Sequence, residues 1–415
     1  MSNEERQCRR VAREPDSPRP SDMLIAHYGA ALVFILAGAL LALAHATGLS
    51  SGSRWLPLHL ALIGGVSQLV IASALFFAGA FFATDLPKRW VIRTQLLLWN
   101  IGAVLTVVGV HRGSRGLTDT GVTVLLAGLF TAAGGLLKMQ RTSLQSRPVM
   151  IRWYYTCMAF FVLGALTGAS MANHSASGLD DPLSTHLTLM LGGWLGCAIV
   201  GTLHTLFPSI TATRLRWPRL EVPTYWSWVG GVTVLAVGYA LGSTVAITAG
   251  WYLLLAAAGL LLANIAATAR SGRLRNVPAL FVTAAQLCLL GGLLVAVVAV
   301  SADPTASFSA AQRAAVGTLL LFGWVAMTVS GALTRLLSVV GRVRNLELAP
   351  PRIGLHPLVV ALTTAAVLLL ATAQLAGLDQ LWSVAAIALV VSYAATAERV
   401  LALAIHALRV ARISL

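Results

Sequence analysis

Nine histidines stand in this 415-residue chain, and their places along its apolar stretches sort them into two groups. His45, His59, His111, His174 and His186 lie towards one end of those stretches. His27, His204, His356 and His406 lie towards the other. Neutral imidazole ligates haem iron and copper. His59 opens the second apolar stretch and His186 opens the sixth, each about one turn inside its boundary. Two imidazoles from facing helices are what bis-histidine haem ligation needs. Either one alone also reads as an interfacial histidine bonded to water or a carbonyl. Met171 and His174 (M-A-N-H) close the fifth stretch, and Met190 follows His186 by four residues, on one helix face. Thioether with imidazole suits Cu(I), although Met also fills gaps in packed cores. His204 sits one helix length below His186 and just before Pro208, where a second site, a proton path or a plain boundary position all fit. His45 and His111 are placed to support the first group. His27, His356 and His406 adjoin basic clusters and read as interfacial.

The elements that must position these residues follow from composition. Hydrophobic residues make up 57% and charged residues 10%, against roughly 25% charged in soluble proteins. Mean hydropathy is +0.81. So few charges cannot cover so much apolar surface in water, so the solvent for most of the chain is lipid. That excludes a soluble enzyme, a disordered chain, a coiled coil and a basic nucleic-acid-binding domain. The net charge of +15 sits in short clusters between apolar runs, as a bilayer topology requires. Cys8, Cys157, Cys197 and Cys288 form no C-x-x-C, and three of them lie in apolar runs as small hydrophobes.

Residues 1–22 carry five Arg, three Glu and two Asp and read as a disordered polar tail, too acidic for a signal peptide. Residues 23–415 read as a single transmembrane domain. A membrane helix needs about 20 apolar residues. Twelve stretches qualify: 23–46, 57–83, 91–110, 120–138, 153–172, 185–208, 224–242, 245–268, 278–300, 312–337, 356–376 and 381–405. With both termini inside, the inner face receives all Lys and Arg except Arg54, Arg112, Arg115 and Arg313. That asymmetry sets an even helix number and a cytoplasmic N-terminus. Trp55, Trp90, Trp153, Trp217, Trp226, Trp228 and Trp382 fall near stretch ends, as an interfacial belt should.

Stretches 2, 6 and 10 resemble one another. Trp194 aligns with Trp324, Gly201 with Gly331, Leu203 with Leu333 and Arg214 with Arg344, while Gly64-Gly65 aligns with Gly192-Gly193. The period is four helices, so the fold class is all-α and polytopic, with three pseudo-repeats of four helices. The matched glycines also serve close helix packing. Gln68, Gln95, Asn100, Asn264, Gln286, Gln374 and Glu398 are polar residues within stretches, each expected to bond a neighbour. No chain of Asp and Glu crosses the membrane, and no Walker A, G-x-S-x-G or H-E-x-x-H motif occurs.

With these residues in view, the chain resembles the membrane subunit of haem–copper oxidases and their relatives. The segment from His186 to Arg214, HLTLMLGGWLGCAIVGTLHTLFPSITATR, is similar to the H-L-x-L-x-x-x-G-W/F-x-x-x-x-I/V-x-G-T-L-x-x-L-x-P segment of the NnrS-like group. It is also similar to actinobacterial membrane proteins labelled "copper oxidase". The topology match spans most of the chain and the sequence match a smaller part. The departures are specific. Stretch 10 has Val316-Gly317 where oxidases place histidine. Tyr225-Trp226-Ser227 replaces the adjacent His-His pair of stretch 7, and the H-P-E-V-Y pattern is missing. A haem–copper pair that reduces oxygen does not fit these residues.

The resemblance implies haem and/or copper near the outer face, held by His59 and His186. His174, Met171, Met190, His45, His111 and His204 are further metal candidates. It implies electron transfer, metal handling or nitrosative-stress tolerance, with a membrane or extracytoplasmic electron-transfer partner. Two rival readings remain at this point. One is a transporter of a small compound, with helices broken at Gly64-Gly65 and Gly192-Gly193. The other is a non-catalytic assembly subunit of a membrane complex.

Overall fold

A computed structural model describes residues 16–49, 51, 55–143, 150–176, 178–272, 274, 276–303, 308–344 and 356–413. Most of the polar tail, residues 1–15, lies outside them, as does Cys8. The described residues hold helices and no strand. That follows from the solvent, because hydrocarbon offers backbone groups no partners and a helix satisfies its own.

The helices run in chain order as α1 (Pro20–Ala46), α2 (Trp55–His59), π1 (Leu60–Val66), α3 (Ser67–Phe82), α4 (Arg89–His111), α5 (Arg115–Thr142) and α6 (Met150–Ala172). Then come α7 (Pro182–Leu187), π2 (Thr188–Gly196), α8 (Cys197–Thr211), α9 (Glu221–Ala240), α10 (Thr244–Ser271) and α11 (Val277–Ala302). The last are α12 (Ala310–Gly317), π3 (Thr318–Ala326), α13 (Met327–Arg344), α14 (Pro357–Ala376) and α15 (Asp379–Ile413). Elements α2, π1 and α3 are one continuous helix, as are α7, π2 and α8, and α12, π3 and α13. Among the described residues, eleven helices are long and apolar enough to cross a membrane. The stretch expected over 224–242 forms the 20-residue helix α9, which is not among the eleven.

The chain divides into two compact units, residues 1–176 and 177–415. In the first, α1 packs along π1 and α3, and α4 and α5 form a tight antiparallel hairpin. In the second, α9 and α10 form another such hairpin, α14 and α15 a third, and α11 packs along π3 and α13.

The first two hairpins are built alike. Trp99, Gly102, Gly109, Gly113, Ser114, Gly121 and Leu125 stand at one constant spacing from Trp228, Gly231, Gly238, Gly242, Ser243, Gly250 and Leu254. Each turn places a glycine in the left-handed region, with φ of 63° at both Gly113 and Gly242. The serine amide that follows reaches back to the carbonyl of Gly109 at 2.8 Å or of Gly238 at 2.9 Å, which caps the incoming helix. The same serine hydroxyl then accepts from the next helix's first turn, from the amide of Leu117 or of Ala246. Inside the hairpins glycine permits backbone contact. A Cβ at Gly121 would lie 2.3 Å from Thr106 N, and one at Gly250 2.6 Å from Leu235 Cβ. The third hairpin keeps the glycine turn, with φ 66° at Gly377 and the Leu378 amide 3.0 Å from the Ala373 carbonyl. It has Thr363, Ala366, Ala373 and Ala385 at the corresponding buried places.

Of the expected tryptophan belt, Trp90, Trp217, Trp226 and Trp382 are exposed near helix ends. Trp153 and Trp228 depart from it and are fully buried. The polar stretch residues bond as expected. Asn264 accepts from the Trp217 amide and donates to its carbonyl, Gln374 accepts from Thr318, and Glu398 pairs with Arg399 at 3.1 Å. Cys157, Cys197 and Cys288 are buried free thiols.

The glycine contacts make a direct prediction. Gly121→Ala or Gly250→Ala should lower detergent-solubilised stability by about 1–3 kcal/mol through overpacking. Gly116→Ala, where a Cβ meets nothing within 4 Å, should not. Thermal unfolding followed by circular dichroism distinguishes them.

Candidate functional site

The three resembling stretches share a local feature that periodicity does not reveal. Each widens into a π-helix at its glycine-rich segment: LALIGGV in π1, TLMLGGWLG in π2 and TLLLFGWVA in π3. A π-helix shifts backbone pairing from four residues to five, so a backbone carbonyl can lose its usual amide, and such segments recur at functional sites. Aromatic donors reach the π segments of this chain, two of them fully buried tryptophans. Trp99 Nε1 donates to the Ile63 carbonyl at 3.0 Å and Trp228 Nε1 to the Gly192 carbonyl at 2.9 Å. The Tyr393 hydroxyl donates to the Phe322 carbonyl. Gly192 and Phe322 are aligned positions, and Trp99 and Trp228 are the matched tryptophans of the two hairpins. This bond is why Trp228 turns inward rather than joining the interfacial belt.

The two leading histidines stand just ahead of these segments. His59 is the last residue of α2, directly before π1. His186 lies in α7, two residues before π2 begins. At the third such place, ahead of π3, stands Val316. His59 is half-buried, its ring stacked on Trp55 with centroids 4.0 Å apart and planes 17° apart. Its Nδ1 lies 2.9 Å from the Trp55 carbonyl. A carbonyl only accepts, so Nδ1 carries a proton, and in the neutral ring that leaves the lone pair on Nε2. That is the tautomer of a metal-ligating histidine, held by a backbone partner. The residue therefore fits the chemistry of an axial ligand. His186 is also half-buried.

The other candidates fall as follows. His45 is half-buried at the end of α1, its Nδ1 2.6 Å from the Leu41 carbonyl. His111 ends α4 and is exposed. His174 is exposed beyond α6 with φ 54°, a left-handed conformation uncommon outside glycine. Beside it Asn173 donates to Asp119 at 2.6 Å. Met171 and Met190 are half-buried in α6 and π2. His204 is buried in α8, with Nδ1 2.8 Å from the Val200 carbonyl. His45, His59, His111, Met171 and His174 belong to the first compact unit, and His186, Met190 and His204 to the second. Among the described residues, no group of three or more His, Cys, Asp or Glu side chains gathers to hold a metal. Spans 2 and 6 run unbroken through their glycine pairs. That counts against the broken-helix substrate site of a transporter.

The inner histidines separate. His356 caps α14, accepting from the Leu358 amide at 3.1 Å, and is exposed as an interfacial residue should be. The His406 side chain lies outside the described residues. His27, expected at the interface, is fully buried instead. The basic cluster it adjoins in sequence lies at helix ends, whereas His27 stands about two turns inside α1. Gln95 lies 2.7 Å from its ring. Its signal in the sequence was the set of polar residues Gln68, Gln95 and Asn100 on neighbouring spans.

Removing an indole donor should expose its role. Trp228→Phe keeps an aromatic ring but removes the N–H and part of a fully buried indole, so stability should fall by about 1–3 kcal/mol for the lost donor and further for the volume removed. Exposed Trp226→Phe should change it little, as unfolding in detergent would report.

No family model matches the chain, and no curated protein matches it.

Proposed function

We propose that this chain is a twelve-helix protein of the bacterial plasma membrane, built from three four-helix units, with both termini cytoplasmic. In this reading α9 is the twelfth span, and the clustering of Lys and Arg on one side supports the orientation. The recurrence of π1, π2 and π3, and of the glycine-turned hairpins after them, supports the threefold plan. We further propose that the chain belongs with the haem–copper-oxidase-like and NnrS-like proteins and binds haem and/or copper near its outer face. His59 and His186 are the proposed ligands, with His174, Met171, Met190, His45, His111 and His204 as candidates for copper.

One observation carries this reading: His59 and His186 both stand within two residues of the start of the π-helices of repeat-equivalent spans, one position out of register with each other. Bound there, haem or copper would supply one-electron chemistry. The chain's own part is positioning. The Trp55 carbonyl fixes the His59 tautomer and the Trp55 ring sets its plane, while the packed π segments hold the helices that carry both imidazoles. The proposed role is electron transfer, metal handling or nitrosative-stress tolerance.

Detergent-purified protein should show a Soret band or near-stoichiometric copper, and His59→Ala combined with His186→Ala should abolish it. Helix content of the double variant, read by circular dichroism, controls for folding. A well-folded, colourless and metal-free wild-type preparation would sink the cofactor assignment. Orientation is tested separately on a Cys8→Ser background, since the other three cysteines are buried. An impermeant maleimide should label Ser175→Cys on intact cells, and Asp85→Cys only after permeabilisation. The opposite pattern reverses the topology.

A further inference from the structure

In the first compact unit, α1, α3 and α4 share a buried polar seam that the cofactor reading does not use. His27 lies at its centre, with 0% of its surface exposed. Its Nδ1 is 2.9 Å from the Met23 carbonyl and its Nε2 is 2.7 Å from Gln95 Oε1. Gln68 Nε2 donates to the His27 backbone carbonyl at 3.1 Å, and Asn100 Nδ2 donates to Gln68 Oε1 at 3.1 Å. Tyr28, the next residue of α1, shares a hydrogen bond with Ser73 at 3.1 Å. An ionisable side chain at membrane depth is expensive and marks function by default.

The bonding of His27 is unusual in one respect. Both ring nitrogens face oxygen atoms, while the Gln95 amide nitrogen, on a residue 1% exposed, is buried without a partner. A neutral imidazole has one N–H and cannot donate to two oxygens, whereas an imidazolium can. The glutamine amide can turn by half a revolution with no change of shape. Its nitrogen then donates to a bare ring nitrogen and serves the neutral ring. Gln95 therefore has a partner atom for each charge state of His27, its carbonyl oxygen for the charged ring and its amide nitrogen for the neutral one.

The titratable groups on α1 and the elements packed against it are Asp22, Tyr28 and His45 on α1, His59 on α2, and Arg89, Arg93 and His111 on α4, with Lys88 capping α4. Element α3 carries no charged residue. Arg89 and Arg93 are exposed. The ring's partners are the Met23 carbonyl and Gln95.

We propose that His27 is a reversible proton-binding site inside the membrane, with the Gln95 side chain turning its amide to bond the neutral and the charged ring in alternation.

The test uses the full chain in phospholipid bilayers, with 15N in the histidine rings and 13C in the methionine carbonyls. Dipolar coupling to the Met23 carbonyl identifies His27 in the wild type, since the ring nitrogens of His45, His59 and His204 contact the carbonyls of Leu41, Trp55 and Val200. Lowering the pH from about 8 to about 5 should convert its spectrum from one bare and one protonated nitrogen to two protonated nitrogens. Gln95→Leu should keep a bare nitrogen across that range, and Gln95→Met serves where Leu does not fold. Gln95→Glu should keep both nitrogens protonated. A wild-type ring that holds one protonation state throughout overturns the proposal. So does a Gln95→Leu or Gln95→Met ring that titrates as the wild type does.

Discussion

A backbone carbonyl at membrane depth has no water to turn to, and that constraint organises this protein. An α-helix meets it internally, which is why the described residues hold helices and no strand. The three π segments reopen the problem in the packed interior, and indole or phenol donors reach the Ile63, Gly192 and Phe322 carbonyls. Trp99 and Trp228 do so from the helix that follows in chain order. In the third case Tyr393 does so from α15, because Thr363 occupies the place that tryptophan holds in the first two hairpins. Each aromatic side chain thus pins a neighbouring helix to a widened one.

That pinning bears on the two proposed ligands. His59 and His186 stand where a regular helix gives way to a widened one, so each imidazole sits beside a locally fixed backbone. At His59 the fixing extends to the ring, through the Trp55 carbonyl and the Trp55 face. The exposed His111 and His174 have no such support. The seam around His27 obeys the same rule with side chains: Gln68 bonds a backbone carbonyl, Asn100 bonds Gln68, and Gln95 bonds the ring.

The fold was legible to an unequal degree. Eleven membrane helices follow from apolar runs, and the likeness of stretches 2, 6 and 10 follows from Gly and Trp spacing. The likeness of the α4–α5 and α9–α10 hairpins was equally present, in Trp99 to Leu125 against Trp228 to Leu254. It was hidden because small residues recur everywhere in membrane helices, and only the turn geometry shows which glycines are equivalent. The site was less legible. Proximity to a basic cluster placed His27 at the interface, and nearness to a stretch end put Trp153 and Trp228 in the aromatic belt. Both inferences read depth along the chain and could not read which way a helix face turns.

The amino-acid sequence by itself settled the solvent, the helical class and the candidate histidines, since these depend on composition and spacing that no packing can alter. Tertiary structure alone decided that three helices widen into π turns, that Trp228 faces inward, and that His27 lies buried against Gln95. Those outcomes depend on which side chains meet across helices, and hydrogen-bond partners one or two spans apart in the chain leave no periodic trace along it.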